Sequence, residues 1–231
     1  MVRVKICCNT HEEDVALCVE EGADAVGFVV EYPTPVPWSL PRQRAAALMR
    51  GVPPFVSRVA VVGGDADTIL RIAEDTAADA LQLHGDEAED VVEAVRAGLE
   101  GTSVQVLKAL RIGSGEEAAA TDWVAEVRRF ATAGADAILL DAKSSARAGG
   151  GTGAAFDWSI ARDVSSAGVL PVVLAGGLTP ENIARAVEVV APYAVDVITA
   201  VEDERHRKVR GHVRAFVRAA RDAGIASAAT P

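Results

Sequence analysis

Thr76-Ala77-Ala78-Asp79-Ala80 runs straight into Leu81-Gln82-Leu83-His84, and two other stretches of the chain repeat the step. Glu21-Gly22-Ala23-Asp24-Ala25 leads into Val26-Gly27-Phe28-Val29-Val30, and Ala133-Gly134-Ala135-Asp136-Ala137 leads into Ile138-Leu139-Leu140-Asp141. Each time a helical pattern ends at Gly or a small residue, turns through Asp and feeds a short apolar strand. Glycine suits the left-handed cap of a helix end. Three matching joints imply one helix-to-strand unit used repeatedly.

Working outward, strand-like runs fall near 2–7, 25–30, 58–62, 80–83, 104–110, 137–140, 171–174 and 195–199. Helical patterns lie between them, among them 11–21, 41–49, 65–75, 88–97 and 180–190. Thr179-Pro180 reads as a helix start, with Thr as N-cap and Pro at the first position. Eight short strands, each followed by a helix, predict an α/β protein: a (β/α)8 TIM barrel, single domain, over residues 1–225 with a frayed tail at 226–231. A doubly wound sheet is the runner-up. It would bring a glycine-rich first turn, whereas the first turn here is Cys7-Cys8-Asn9-Thr10.

The 231 residues carry 23 Lys and Arg against 33 Asp and Glu, a net charge of −10. That balance argues against a nucleic-acid or anionic-membrane partner. No apolar run reaches the ~18 residues that would span a bilayer, and Met1-Val2-Arg3-Val4-Lys5 enters a strand pattern directly, which argues against a signal peptide. Three cysteines (Cys7, Cys8 and Cys18) without a C-x-x-C pair read as reduced thiols in a cytoplasmic protein, with no metal site.

In this architecture the reacting groups gather at the carboxyl ends of the strands. Those ends hold Cys7, Gln82 with His84, Asp141, Gly176-Gly177 and Thr199-Ala200. The alternation Arg3, Lys5, Cys7 cannot face a greasy helix layer, so it predicts Cys7 inside the barrel and Cys8 on the other face, as a structural residue. Asp141 is either a helix cap or a functional carboxylate, and His84 either a ligand contact or a loop hydrogen bond. Two glycine clusters, at 149–153 and 176–177, follow late strands, where backbone amides can approach a phosphate. The basic stretch 205–210 reads as a solvated face.

Val4-Lys5-Ile6-Cys7, Gly22-Ala23-Asp24-Ala25-Val26-Gly27-Phe28, Leu81-Gln82-Leu83-His84-Gly85-Asp86-Glu87, Lys108-Ala109-Leu110, Gly150-Gly151-Thr152-Gly153 and Leu174-Ala175-Gly176-Gly177-Leu178-Thr179-Pro180-Glu181-Asn182 together resemble the phosphoribosylanthranilate isomerase family, in order and over nearly the whole chain. The resemblance implies an Amadori rearrangement in tryptophan biosynthesis. It makes Asp141 the general acid and Cys7 the general base, with Lys5, Gln82, His84 and Asp196 as substrate-binding residues. Gly150, Gly151, Gly153, Gly176, Gly177, Thr199 and Ala200 would bind phosphate. It implies no cofactor, a small phosphorylated sugar-amine as partner, and a monomer or homodimer. A base of this kind needs nearby positive charge, for which Lys5 is placed on the same strand face.

The sequence departs from the family pattern at several places, two of them beside expected site residues. Cys8 stands where the family motif has glycine, and Pro37 stands where it has a carboxylate-gripping arginine, for which Arg42, Arg44 and Arg58 are candidate replacements. Two alternative readings follow: the same chemistry on another phosphoribosyl amine in specialised metabolism, or a non-catalytic phosphosugar-binding barrel.

Overall fold

The computed structural model describes residues 1–113, 115–142 and 157–228, the side chains of residues 117 and 226–228 excepted. Eight parallel strands close into a barrel in chain order. They are β1 (Arg3–Ile6), β2 (Ala25–Val29), β3 (Ser57–Val62), β4 (Ala80–Leu83), β5 (Gln105–Ile112), β6 (Ala137–Ala142), β7 (Val172–Leu174) and β8 (Ala194–Val197). Around them run α1 (Glu12–Glu20), α2 (Arg42–Arg50), α3 (Ala66–Asp75), α4 (Glu89–Gly98), α5 (Glu116–Ala120), α6 (Trp123–Thr132), α7 (Trp158–Ala167), α8 (Ile183–Val190) and α9 (Arg210–Ala228). The predicted barrel is the observed one. Helix α9 enters the segment expected as a tail; residues 229–231 lie outside the described residues.

The recurring joint has a structural reason. Asp24 accepts a hydrogen bond from the Val4 N–H at 2.8 Å, Asp79 from the Arg58 N–H at 2.8 Å, and Asp136 from the Val106 N–H at 2.7 Å. Each aspartate also donates its own N–H to the carbonyl of that same partner residue. One short side chain therefore clamps β2 to β1, β4 to β3 and β6 to β5. Gly22 and Gly134 supply the left-handed turn before two of these joints, at φ +93° and +99°. Ahead of β8 the equivalent place belongs to Tyr193, whose N–H meets the Val172 carbonyl but which brings no carboxylate.

Side-chain alternation along each strand decides which face of the wall a residue takes. On β5, Val106, Leu110 and Ile112 pack under the helices, while Leu107 and Ala109 meet Leu139, Val173, Ala175 and Ala194 inside the barrel. The inner parity continues to Arg111 and Asp141, which are in register at the carboxyl ends of β5 and β6. On β1 the inner parity is Arg3, Lys5 and Cys7, and Lys5 pairs in register with Asp196 of β8.

Two local expectations shift. Strand β8 stops at Val197, because Ile198 (φ −127°, ψ −80°) leaves the extended region, and Thr199–Val201 forms a single 3-10 turn instead. Helix α8 begins at Ile183 rather than at Pro180. Asn182 holds the intervening turn, accepting from the Thr179 N–H at 2.8 Å and donating to the Gly177 carbonyl at 2.8 Å.

Candidate active site

Cys7 follows directly on β1 and is 1% exposed. Its sulfur lies against the backbone of Gly27 on β2, where even a methyl group would come within 2.5 Å of it. Lys5, on the same inner face, donates to Asp196 Oδ2 at 2.8 Å, both side chains being buried. Burial works against the Lys5 ammonium, but Asp196 and then Cys7 raise its pKa above the ordinary lysine value. Asp196 is pushed up to about 7 by burial, against the attraction of Lys5 and with repulsion from Cys7 and Asp141. Its second oxygen, Oδ1, is buried without a hydrogen-bond partner.

The positive field that a thiolate needs comes from more than Lys5. A hydrogen bond from the Cys8 thiol is the largest influence holding Cys7 well below the usual thiol range; burial opposes it, and Lys5 and then Lys208 add to it. Lys208 corrects the reading of 205–210 as a solvated face. An antiparallel bridge pairs Glu202 with Lys208 and folds the segment back on itself. The Lys208 side chain ends fully buried, donating to the Cys7 carbonyl at 2.5 Å and to Glu202 Oε1 at 2.6 Å. Glu202 Oε2 in turn accepts from the Trp38 indole at 3.3 Å, and His206 stacks edge-on against Trp38. No local periodicity announced this network, because it joins Cys7 and Trp38 to a segment that lies 201 and 164 positions further along the chain. Cys8, expected on the other face, instead packs with Cys7, Val29, Trp38 and Val61.

Asp141 is on the inner face of β6, its side chain 27% exposed. His84 Nε2 lies 3.5 Å from Asp141 Oδ2, and His84 Nδ1 lies 2.8 Å from the Gln82 amide nitrogen. An amide nitrogen only donates, so Nδ1 accepts and the ring proton stands on Nε2, toward the carboxylate. Gln82 Oε1 has no hydrogen-bond partner. Sequence reasoning left Asp141 between cap and functional group; it caps no helix among the described residues.

Gly176, read from the sequence as a phosphate contact, has a second reason to be glycine. It holds φ +82°, and a Cβ there would lie 2.5 Å from the Ala142 nitrogen and 2.8 Å from Asp141 Oδ1. Gly176→Ala is expected to cost ~1–2 kcal/mol in backbone strain and to displace the Asp141 carboxylate. A displacement on the order of 1 Å lowers kcat/KM by about a hundredfold, which steady-state kinetics beside a thermal melt will register.

Gly177 (φ +66°) continues this turn, and Thr199 and Ala200 sit in the 3-10 turn after β8, at the same end of the barrel. Gly150, Gly151 and Gly153 lie outside the described residues. The three candidate arginines are engaged elsewhere: Arg42 with Glu31 and Asp75, Arg44 with Glu12, and Arg58 with Asp79. Arg58 sits at the amino end of β3, away from the mouth; Arg42 and Arg44 open α2 after the β2 loop, at the carboxyl end, but their guanidinium groups are held by carboxylates on the outside of the barrel. Arg111 is the guanidinium on inner parity at the carboxyl end; it pairs with Asp86 and lines a cavity of about 410 Å³ with Tyr32, Gly63 and Gly85. Among the described residues no group of three or more His, Cys, Asp or Glu is placed to hold a metal ion.

The family model described as N-(5'phosphoribosyl)anthranilate (PRA) isomerase matches residues 4–219. The N-(5'-phosphoribosyl)anthranilate isomerase of Haloferax volcanii is 42% identical over 224 residues, covering 96% of this chain and 95% of the relative. A crystal structure of phosphoribosyl anthranilate isomerase in complex with reduced 1-(o-carboxyphenylamino)-1-deoxyribulose 5-phosphate is 33% identical, with a TM-score of 0.76 over 96% of this chain and 100% of that one. A structure of mutually generated monomers of the dimeric enzyme from Thermotoga maritima is 32% identical, with a TM-score of 0.74 over the same shares.

Proposed function

The chain belongs to the N-(5'-phosphoribosyl)anthranilate isomerase family, and from that premise we propose which of its residues move the protons. The activity is the isomerisation of N-(5'-phosphoribosyl)anthranilate in tryptophan biosynthesis. Asp141 protonates the furanose ring oxygen, and the ring opens to an iminium on the anthranilate nitrogen. Cys7, as thiolate, then removes the proton from sugar C2. The C2–H electrons form the C1=C2 bond and neutralise the nitrogen, giving an enolamine. The ketone follows when C1 gains a proton and the C2 hydroxyl loses one. The substrate's own nitrogen is the electron sink.

The observation that supports this division most is the unpaired Asp196 Oδ1, buried within the electrostatic reach of both Cys7 and Asp141. An acceptor there fits the amine N–H of the substrate, since an orphan buried acceptor is costly unless a ligand meets it. Gln82 Oε1 offers a second acceptor, for a sugar hydroxyl, and His84 orients Asp141. The glycines at 150, 151, 153, 176 and 177, with Thr199 and Ala200, take the phosphate. With Pro37 in the β2 loop, Arg111 takes the anthranilate carboxylate. Turnover of ribosylated anthranilate, with none of its decarboxylated analogue, and rescue of a tryptophan auxotroph lacking this step, are the expected results. Equal turnover of both substrates would favour the reading in which another phosphoribosyl amine is the natural one.

We further infer a homodimer in the reducing cytoplasm, where its three free thiols would stay reduced. Phe55, between α2 and β3 at the amino end of the barrel, is wholly exposed and held at φ +70°. It stands beside a depression of about 510 Å³ lined by Pro53, Pro54, Val56, Arg58 and Asp79. An aromatic fixed outward at such cost suits burial against a second copy. Phe55→Glu is expected to halve the mass measured by light scattering while kcat/KM holds, because the loop lies at the end remote from the carboxyl mouth.

A further inference from the structure

We propose that Glu87, buried on the ammonium of Lys108, is a positioning residue for the reaction: it pins the turn after β4 so that the His84 imidazole stands against Asp141. This role depends on His84 orienting Asp141. Glu87 and Lys108 take no part in the proton transfers, yet they form a buried ion pair. Lys108 Nζ lies 2.9 Å from Glu87 Oε2, and each side chain is 3% exposed. Lys108 is on the outer parity of β5 with Val106 and Leu110, its ammonium 5.7 Å from the centre of the Phe130 ring on α6. Two charges taken out of water are costly to keep, so what they hold decides their use.

They hold the backbone around His84. Glu87 Oε1 accepts from the Gly85 N–H at 3.1 Å and from the Gly64 N–H at 3.2 Å, tying the β4 turn to the end of β3. Lys108 donates to the Gly85 carbonyl at 2.8 Å and to the Leu83 carbonyl at 3.4 Å. Between these contacts the His84 N–H meets the Val62 carbonyl at 2.9 Å, and the His84 carbonyl accepts from the Tyr32 hydroxyl at 2.9 Å. Every backbone polar group from the Leu83 carbonyl to the Gly85 carbonyl is thus engaged, most of them by the ion pair. The imidazole leaves this clasp in one direction, with Nδ1 on Gln82 and Nε2 3.5 Å from Asp141 Oδ2. Gly85 has to be glycine, since a Cβ there would run into Glu87 Oε1. Both Glu87 oxygens face donors, so a carboxylate is required. An amide would turn its own N–H toward either the Lys108 ammonium or the two backbone N–H groups.

The test is a double-mutant cycle between Glu87→Gln and His84→Asn, read as kcat/KM. Glu87→Gln is expected to lower kcat/KM about ten- to a hundredfold, the scale of a displacement on the order of 1 Å at a reacting group. In the His84→Asn background the same substitution is expected to cost less than about twofold, because the group it positions is gone. A side chain that only supports the fold would cost the same in both backgrounds. The second readout is the His84 ring itself, whose nitrogen NMR signals are identified by their absence in His84→Asn. They are expected to show the Nε2–H tautomer in the unaltered enzyme and an average of the two tautomers in Glu87→Gln. Where Glu87→Gln is too unstable to assay, Glu87→Gln combined with Lys108→Met carries the same test. It buries no unpaired charge and still releases the Leu83 and Gly85 carbonyls, so its loss is expected to be about tenfold and to vanish likewise in the His84→Asn background. Equal losses in the two backgrounds, or an unmoved His84 spectrum, overturn the proposal. His84→Asn alone separates the two failures. If it is impaired and the Glu87 variants add their losses to it, only the role of Glu87 falls; if it keeps full activity, the orienting role of His84 falls and this proposal with it.

Discussion

Asp141→Asn is expected to lower kcat/KM by about 10²- to 10⁴-fold, the range that a positioned general acid contributes, with the fold intact. Asparagine has the size of aspartate, so its place beside Gly176 and the approach of His84 persist. On the proposed division of roles, what is lost is the proton that reaches the ring oxygen. Cys7→Ala is its counterpart at the C2 proton and carries a loss of the same order. The two variants must part company with a structural explanation in the melting curve. Asp141 is partly open to solvent at the mouth, so its replacement leaves the thermal midpoint where it was. Activity retained within tenfold in either variant would take the proton-transfer role away from that residue.

Lys208→Met is expected to produce the largest loss of stability, about 3–5 kcal/mol, or a fall of roughly 6–20 °C in Tm. The reason is the company Lys208 keeps. Its ammonium is fully buried on Glu202, which is itself buried, and it satisfies the Cys7 carbonyl as well. Methionine fills a similar volume but leaves a carboxylate inside the protein with only the Trp38 indole and His206 beside it. Lys208→Met with Glu202→Gln removes both charges and is expected to recover much of the loss, since a matched apolar or neutral replacement of a buried pair is tolerated better than half of one. Urea and thermal unfolding of the two single variants and the double variant give the coupling directly. A coupling below about 0.5 kcal/mol, the level at which independent sites add, would mean that the two charges do not depend on one another.

The barrel was legible because its signals are local: an Asp that caps a neighbouring strand must sit at a fixed place in the joint, and Asp24, Asp79 and Asp136 all do. The inward direction of Lys5, Cys7 and Asp141 was legible for a similar reason, the period of two along a strand. The setting of Cys7 was not. Lys208 looks like one more cation in a basic run, and only the bridge from Glu202 turns it inward. Cys8 looks like a residue on the opposite face until the left-handed backbone is seen to turn it into the cluster of Cys7, Val29, Trp38 and Val61. Arg42, Arg44 and Arg58 were plausible substrate grips by proximity in sequence, but proximity does not report which carboxylate a guanidinium already holds: Glu31, Glu12 and Asp79 engage them.

The aspartate clamps also give the wall a grain. Three neighbouring pairs of strands are stapled at their amino ends by a carboxylate, and the fourth pair, β7 with β8, meets through Tyr193 without one. Among these four pairs the β7–β8 seam is expected to open most readily, with faster amide exchange than the three clamped seams as the check, and it leads to the turns that hold Gly176, Gly177 and Thr199.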